Sequence, residues 1–189
     1  MKRIAILASG AGSNAANILN YFKSNAKVEV VLIASNRPNA GVLEIAHKWG
    51  IPTFHLTRAD FQESDRFIHE LQSRKVDVIV LAGFLWKVPQ HMVASYPQRI
   101  INIHPSLLPK YGGKGMFGHH VHEAVHAAQE SESGITIHYV NEHYDQGAII
   151  AQFRTPVLPD DTASDIERKV RALEMEWFPR VLEQVLTSC

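Results

Sequence analysis

The sequence predicts an α/β protein built on a mostly parallel central sheet. Three observations predict it. Short apolar runs of strand length recur at residues 4–8, 28–34 and 76–82. The segments between them carry helical apolar spacing. Each run ends in turn or loop residues. Strands that are apolar on both faces and alternate with helices belong to a parallel sheet with right-handed crossovers.

The elements follow in order. Ile4-Ala5-Ile6-Leu7-Ala8 is an unbroken apolar run that ends in Ser9-Gly10-Ala11-Gly12-Ser13-Asn14. A helix is expected from there to about Lys23. Residues 28–34 form the second strand. Residues 40–49 read as a helix that stops at Gly50, with Pro52 just beyond. Residues 53–56 give a short strand. Residues 60–74 are polar with apolar points at Phe61, Phe67, Ile68 and Leu71, the pattern of one amphipathic helix. Residues 76–82 form the next strand and end at Gly83. The first hundred residues thus read β-α-β-α-β-α-β. The rest differs: a strand at 100–104, a glycine-rich loop at 111–118, a helix at 121–129, strands at 135–141 and 148–155, and a long helix from Asp160. Ser164 and Glu167 fit a capping box for that helix. Pro179 is expected to kink or restart it.

Bulk properties narrow the function. The chain has 189 residues, 46% of them hydrophobic, enough for a sizeable core in one domain or two fused halves. Lys+Arg and Asp+Glu both number 19, so no basic excess points to nucleic acid. Cys189 is the only cysteine, which rules out an internal disulfide and suits a reducing cytoplasm. The first apolar run is too short to span a bilayer or to serve as a signal core.

The run Ile101-Asn102-Ile103-His104-Pro105-Ser106-Leu107-Leu108-Pro109 carries the strongest chemical signal. Residues two apart on a strand face the same side, so Asn102 and His104 stand together while Ile101 and Ile103 face a core. An amide donor and an imidazole side by side at a strand's carboxyl end can hold an oxygen that becomes negative during acyl transfer, and the ring can move a proton. Gly10-Ala11-Gly12-Ser13-Asn14 opens a helix after a strand, so its free amides attract an anion, with a phosphate the expected guest. Gly10, Gly12 and Ala15 also match a dinucleotide fingerprint. That rival calls for an acid after the second strand, where the chain has Ser35-Asn36-Arg37-Pro38. A monophosphate site is preferred.

Other candidates stay open at this level. Asp145, in His143-Tyr144-Asp145-Gln146-Gly147, is either an ordinary turn residue or the acid that orients and charges His104. His138 is either a strand-face residue or a supporting partner. Arg171 and Glu174 are either a surface ion pair worth roughly 0.2–0.5 kcal/mol or two cleft residues, toward a phosphate and toward a substrate amine or hydroxyl. His122-Glu123-Ala124-Val125-His126 matches H-E-x-x-H. With 11 histidines in the chain and the helix's apolar face at Val121, Ala124, Val125 and Ala128, the match is read as accidental and its polar residues as facing solvent. No metal is expected.

Together these pieces resemble the phosphoribosylglycinamide formyltransferases, folate-dependent enzymes of purine synthesis. The resemblance runs over nearly the whole chain. Its marks are Ser9 to Asn14, Leu81-Ala82-Gly83-Phe84, Ile101 to Pro109 with Lys110-Tyr111, and Asp145-Gln146-Gly147. It implies a formyltransferase-like fold: a mixed sheet with a Rossmann-like amino half, residues 1–100 binding phosphate and residues 101–189 holding the catalytic and folate sites. It implies transfer of the formyl group of 10-formyltetrahydrofolate to glycinamide ribonucleotide in the cytoplasm, with small-molecule partners, no nucleic acid, no membrane and room for a homodimer. The ribonucleotide phosphate would lie on Gly12, Ser13 and Asn14. Arg171 and Glu174 match positions that touch the ribonucleotide. Asn102, His104 and Asp145 match the catalytic trio. The folate would lie between Leu85, Trp86, Lys87 and Val88 on one side and Val140, Asn141, Glu142 and Tyr144 on the other, with Asn102 touching it.

The chain departs from the family pattern at Trp86 and Ser64, where many members carry Arg, and Arg66 is the nearest replacement for the second. The loop 112–118 is longer and richer in glycine. In the expected mechanism the amine attacks the formyl carbon, and Asn102 and a protonated or nearly protonated His104 donate to the oxyanion. Asp145 supports the ring and relays a proton through water. Formyltetrahydrofolate deformylase and methionyl-tRNA formyltransferase share this core. The first carries an added amino-terminal domain and the second an added, basic carboxyl-terminal one, and this neutral sequence is expected to hold neither. A non-catalytic nucleotide-binding module and a zinc hydrolase are the alternatives from other classes.

Overall fold

The computed structural model describes residues 1–187. Seven strands form one sheet: β1 (Lys2–Leu7), β2 (Val28–Ser35), β3 (Thr53–His55), β4 (Val78–Leu81), β5 (Ile100–His104), β6 (Glu132–Tyr139) and β7 (Ile149–Pro156). Their order is β3-β2-β1-β4-β5-β6-β7. β1 to β5 run parallel, and β6 and β7 are antiparallel additions. The sheet is therefore mixed and mostly parallel, as expected. The helices are α1 (Ser13–Phe22), α2 (Gly41–Lys48), α3 (Arg66–Ser73), α4 (Gln90–Ser95), α5 (His119–Ala127) and α6 (Ala163–Thr187). No helix among the described residues is long and apolar enough to cross a membrane.

Strand periodicity divides the core in two. Ile4 and Ile6 of β1 pack with Ile18 of α1, Val125 of α5 and Val170 and Phe178 of α6. Ala5 and Leu7 face the other way, onto Phe67 and Leu71 of α3 and Met92 of α4. Each large apolar side chain buried this way stabilises the fold by about 1.5–3 kcal/mol before entropy is charged against it. With both faces covered, a ligand can enter only at a sheet edge or at the strand ends.

The structure corrects three local expectations. Residues 60–74 are not one helix. A π-helical turn, Ala59–Glu63, comes first. Thr57 and Asp60 bond reciprocally at its start: the Thr57 hydroxyl donates to the Asp60 carboxylate at 2.6 Å and the Asp60 N–H donates to the hydroxyl at 3.1 Å. Extended backbone at Ser64 then breaks it before α3 begins. The sequence reading also missed α4. The capping box of α6 is Thr162 with Asp165, not Ser164 with Glu167. Of the two expectations for Pro179, a kink or a restart, the restart does not occur: α6 is continuous through it. Pro179 and its neighbours Phe178, Val181 and Leu182 are buried, so packing offsets the hydrogen bond that proline cannot make. Cys189, on which the disulfide argument turned, lies outside the described residues.

Candidate active site

One cavity of about 650 Å³ opens at the carboxyl ends of β1, β4 and β5. The chain order reverses between β1 and β4, which puts the cavity where open α/β sheets bind ligands. Three loops are tied together there. The Ser9 hydroxyl donates to Asn36 Oδ1 at 2.6 Å and accepts from the Leu85 N–H at 2.9 Å, linking the loops after β1, β2 and β4.

Gly12, Ser13 and Asn14 line one end of the cavity. Gly12 sits at φ 82°, and a Cβ there would come within 2.8 Å of Val42. Only glycine lets the chain turn this tightly against α2. No side chain caps α1, so its first amides are free to meet an anion. Arg171 and Glu174 line the same end. Asn14 Nδ2 donates to Glu174 Oε2 at 2.9 Å, while Asn14 Oδ1 is buried without a partner among the described residues. Burial pushes the Glu174 carboxyl above its usual range, against the Asn14 hydrogen bond and the Arg171 charge. The pair is therefore no plain surface ion pair.

At the other end Asn102, His104, His138 and Asp145 converge. Asn102 and His104 project from β5, and His138 pairs with Asn102 across β6. His138 Nδ1–H donates to the Tyr139 carbonyl at 2.8 Å, so its Nε2 accepts from Asn102 Nδ2 at 3.1 Å. One N–H of the Asn102 amide is left for the cavity. His104 Nε2–H donates to the Tyr111 carbonyl at 2.7 Å, and its Nδ1 lies 3.6 Å from Asp145 Oδ2. Tyr111 is held by a pinned loop. The Leu108 N–H donates to Thr136 Oγ1 at 3.0 Å, and Thr136 Oγ1 donates to the Ser106 carbonyl at 2.7 Å.

Asp145 reaches the site from the β6–β7 turn with φ 53°, a left-handed conformation that Asp tolerates better than most residues. A Cβ at Gly147 would fall 1.6 Å from the Tyr139 carbonyl oxygen, so this turn requires that glycine. Burial pushes the Asp145 carboxyl up. His138, His104 and the Gly113 N–H, which donates to Oδ2 at 2.9 Å, pull it further down, leaving it below the ordinary carboxylate range. For His104 burial wins over the attraction of Asp145, and its pKa is lowered. The free ring is thus neutral near pH 7.

The folate-side expectations divide. Leu85, Trp86, Lys87, Val88, Val140, Asn141 and Tyr144 all line the cavity, and Lys87 Nζ sits 5.8 Å over the Tyr144 ring. Glu142 does not line it. It is exposed beside His143, because the turn projects it outward. Trp86 carries the Arg58 guanidinium 5.0 Å over its ring. Arg66, the expected replacement near Ser64, is paired with Asp60 at 2.8 Å.

The H-E-x-x-H residues part company. Glu123 and His126 are exposed, and Glu123 faces His120 at 3.1 Å. His122 is buried, 3% exposed, and lines the cavity, contrary to the solvent-facing placement. Among the described residues no three His, Cys, Asp or Glu side chains gather as metal ligands.

A neutral imidazole, an ionised carboxylate and an amide donor thus line one cavity, with the uncapped start of a helix at its far end. Residues 2–182 match the model of the formyl transferase family, and the chain belongs to that family. It is 37% identical over 187 residues to the chloroplastic phosphoribosylglycinamide formyltransferase of Arabidopsis thaliana, covering 96% of this chain and 64% of that one. It is 38% identical over 194 residues to the trifunctional purine biosynthetic protein adenosine-3 of Drosophila melanogaster, covering 99% of this chain and 14% of that one. The chain thus spans less than two thirds of the length of either relative. A solved phosphoribosylglycinamide formyltransferase from Anaplasma phagocytophilum superposes with a TM-score of 0.90 at 33% identity, covering 98% of this chain and 87% of that one.

Proposed function

We propose that this chain transfers the formyl group of 10-formyltetrahydrofolate to the amine of glycinamide ribonucleotide in purine biosynthesis. The observation that carries it is the convergence of Asn102, His104 and Asp145 in the same cavity as the uncapped start of α1. The names of the relatives support it.

In this proposal the ribonucleotide phosphate rests on Gly12, Ser13 and Asn14, with Arg171 and Glu174 beside it. The folate lies between the loop after β4 and the β6–β7 turn. Residues 1–100 serve the phosphate and residues 101–189 the chemistry. The substrate nitrogen attacks the formyl carbon, and the carbonyl oxygen takes the charge. The free N–H of Asn102 donates to that oxygen. His104 Nε2–H is already given to Tyr111, so the ring works through Nδ1. Neutral Nδ1 accepts the amine proton, and the resulting imidazolium is stabilised by Asp145. As the bond between the formyl carbon and N10 breaks, N10 takes that proton. No metal or covalent enzyme intermediate enters. The partners are small molecules, the compartment is the cytoplasm, and the fold leaves room for a homodimer.

The test is a spectrophotometric assay of tetrahydrofolate-type product with and without glycinamide ribonucleotide. Product formed only with the amine is expected. Product formed equally without it would identify a hydrolase instead.

A further inference from the structure

His122 has no role in this scheme, yet it is the least explained polar side chain in the cavity. It stands in the first turn of α5 and lines the cavity. Its Nδ1 is buried and meets no hydrogen-bond partner among the described residues, and the residue is 3% exposed. An orphaned buried nitrogen carries an uncompensated desolvation cost unless something arrives to bond it. The charges it feels locate it: Glu167 and Arg171 on α6, His119 on its own helix, and His104 at the reaction centre. His122 thus shares the cavity with His104 and Arg171 and lies within electrostatic reach of both. Burial holds its ring below the usual imidazole pKa, so near neutral pH it offers one N–H and one bare nitrogen.

We infer that His122 is a substrate-binding residue whose ring hydrogen-bonds an uncharged hydroxyl or amide group in the middle of the anionic substrate. Resting on the function proposed above, that group belongs to the ribose or the glycinamide of the ribonucleotide. The phosphate and the amine are held at the two ends. His122 reads what joins them, and so sets their separation.

The experiment compares wild type, His122→Phe and His122→Asn by steady-state kinetics and thermal melting. Wild type must first turn over glycinamide ribonucleotide; if it does not, the parent function fails and His122 is not at issue. With turnover established, His122→Phe is expected to raise KM for the ribonucleotide about tenfold, the loss of roughly one good hydrogen bond. KM for the folate should stay within about twofold. His122→Asn, which keeps a donor and an acceptor, should recover most of the loss. The melting temperature of His122→Phe should equal or exceed that of wild type, because an unbonded polar group has been removed from the interior. An unchanged ribonucleotide KM in folded His122→Phe, or equal rises for both substrates, would overturn the inference. If His122→Phe does not fold, a wild-type ribonucleotide KM in folded His122→Leu would overturn it as well.

Discussion

The two ends of the cavity solve different problems with different material. The end at Gly12 to Asn14 is made mainly of backbone: a left-handed glycine, uncapped helix amides and a close approach to Val42. The end at Asn102, His104 and Asp145 is made of side chains, from one strand and a turn, each held by a hydrogen bond. A backbone site is sensitive to added atoms and indifferent to most side-chain chemistry. A side-chain site is the reverse. Binding should therefore fail at the first end through bulk or charge, and turnover at the second through loss of a functional group.

That contrast can be broken or sharpened by experiment. The largest effect is expected from Asn102→Ala, which removes the oxyanion donor and should lower kcat about 10²–10³-fold with little change in melting temperature. Near-normal turnover in this variant would end the assignment of that end as catalytic. Asp145→Asn should come next. Asn also accepts left-handed backbone, so the turn survives while the charge that stabilises the imidazolium is lost, and kcat should fall by roughly 10²-fold. At the backbone end Ser13→Asp should raise KM for the ribonucleotide about tenfold through charge repulsion and leave KM for the folate alone. Equal effects on both substrates would move the anion site elsewhere.

The smallest effect is in the pH profile. The folded His104 binds a proton less readily than the unfolded ring with its ordinary value of 6.5. Its basic form thus persists as pH falls through 6.5, so kcat/KM should stay level there and decline only at more acid pH. Between those two pKa values the unfolded state binds more protons, so folding stability should rise with pH across that interval. An inflection above pH 6.5 assigned to His104 by its loss in His104→Asn would contradict the neutral ring.

The sequence exposed the backbone end and the β5 pair because local rules govern both. Glycine spacing after an apolar run marks the turn into α1. The two-residue period of a strand puts Asn102 and His104 on one side, whatever packs around them. His122 was hidden for the opposite reason. Reading one apolar stripe on α5 assumes one buried face, but α5 also packs against α6, and that contact buries a second face. Arg171 and Glu174 share a face by spacing, yet only the pairing of Glu174 with Asn14 on α1 shows that this face meets the cleft. The capping register was ambiguous because Thr162 and Ser164 each precede an acid by three residues. The choice between them rests on where the first turn closes, a tertiary fact.

Ser9 carries a consequence of its own. Its hydroxyl is bonded on both sides, to Asn36 and to Leu85, so the lips of the cleft on either side of β1 share a single elastic response. A push on one is felt by the other through two short bonds. The opening between them is gauged from beneath, by a residue 2% exposed at the end of the central strand.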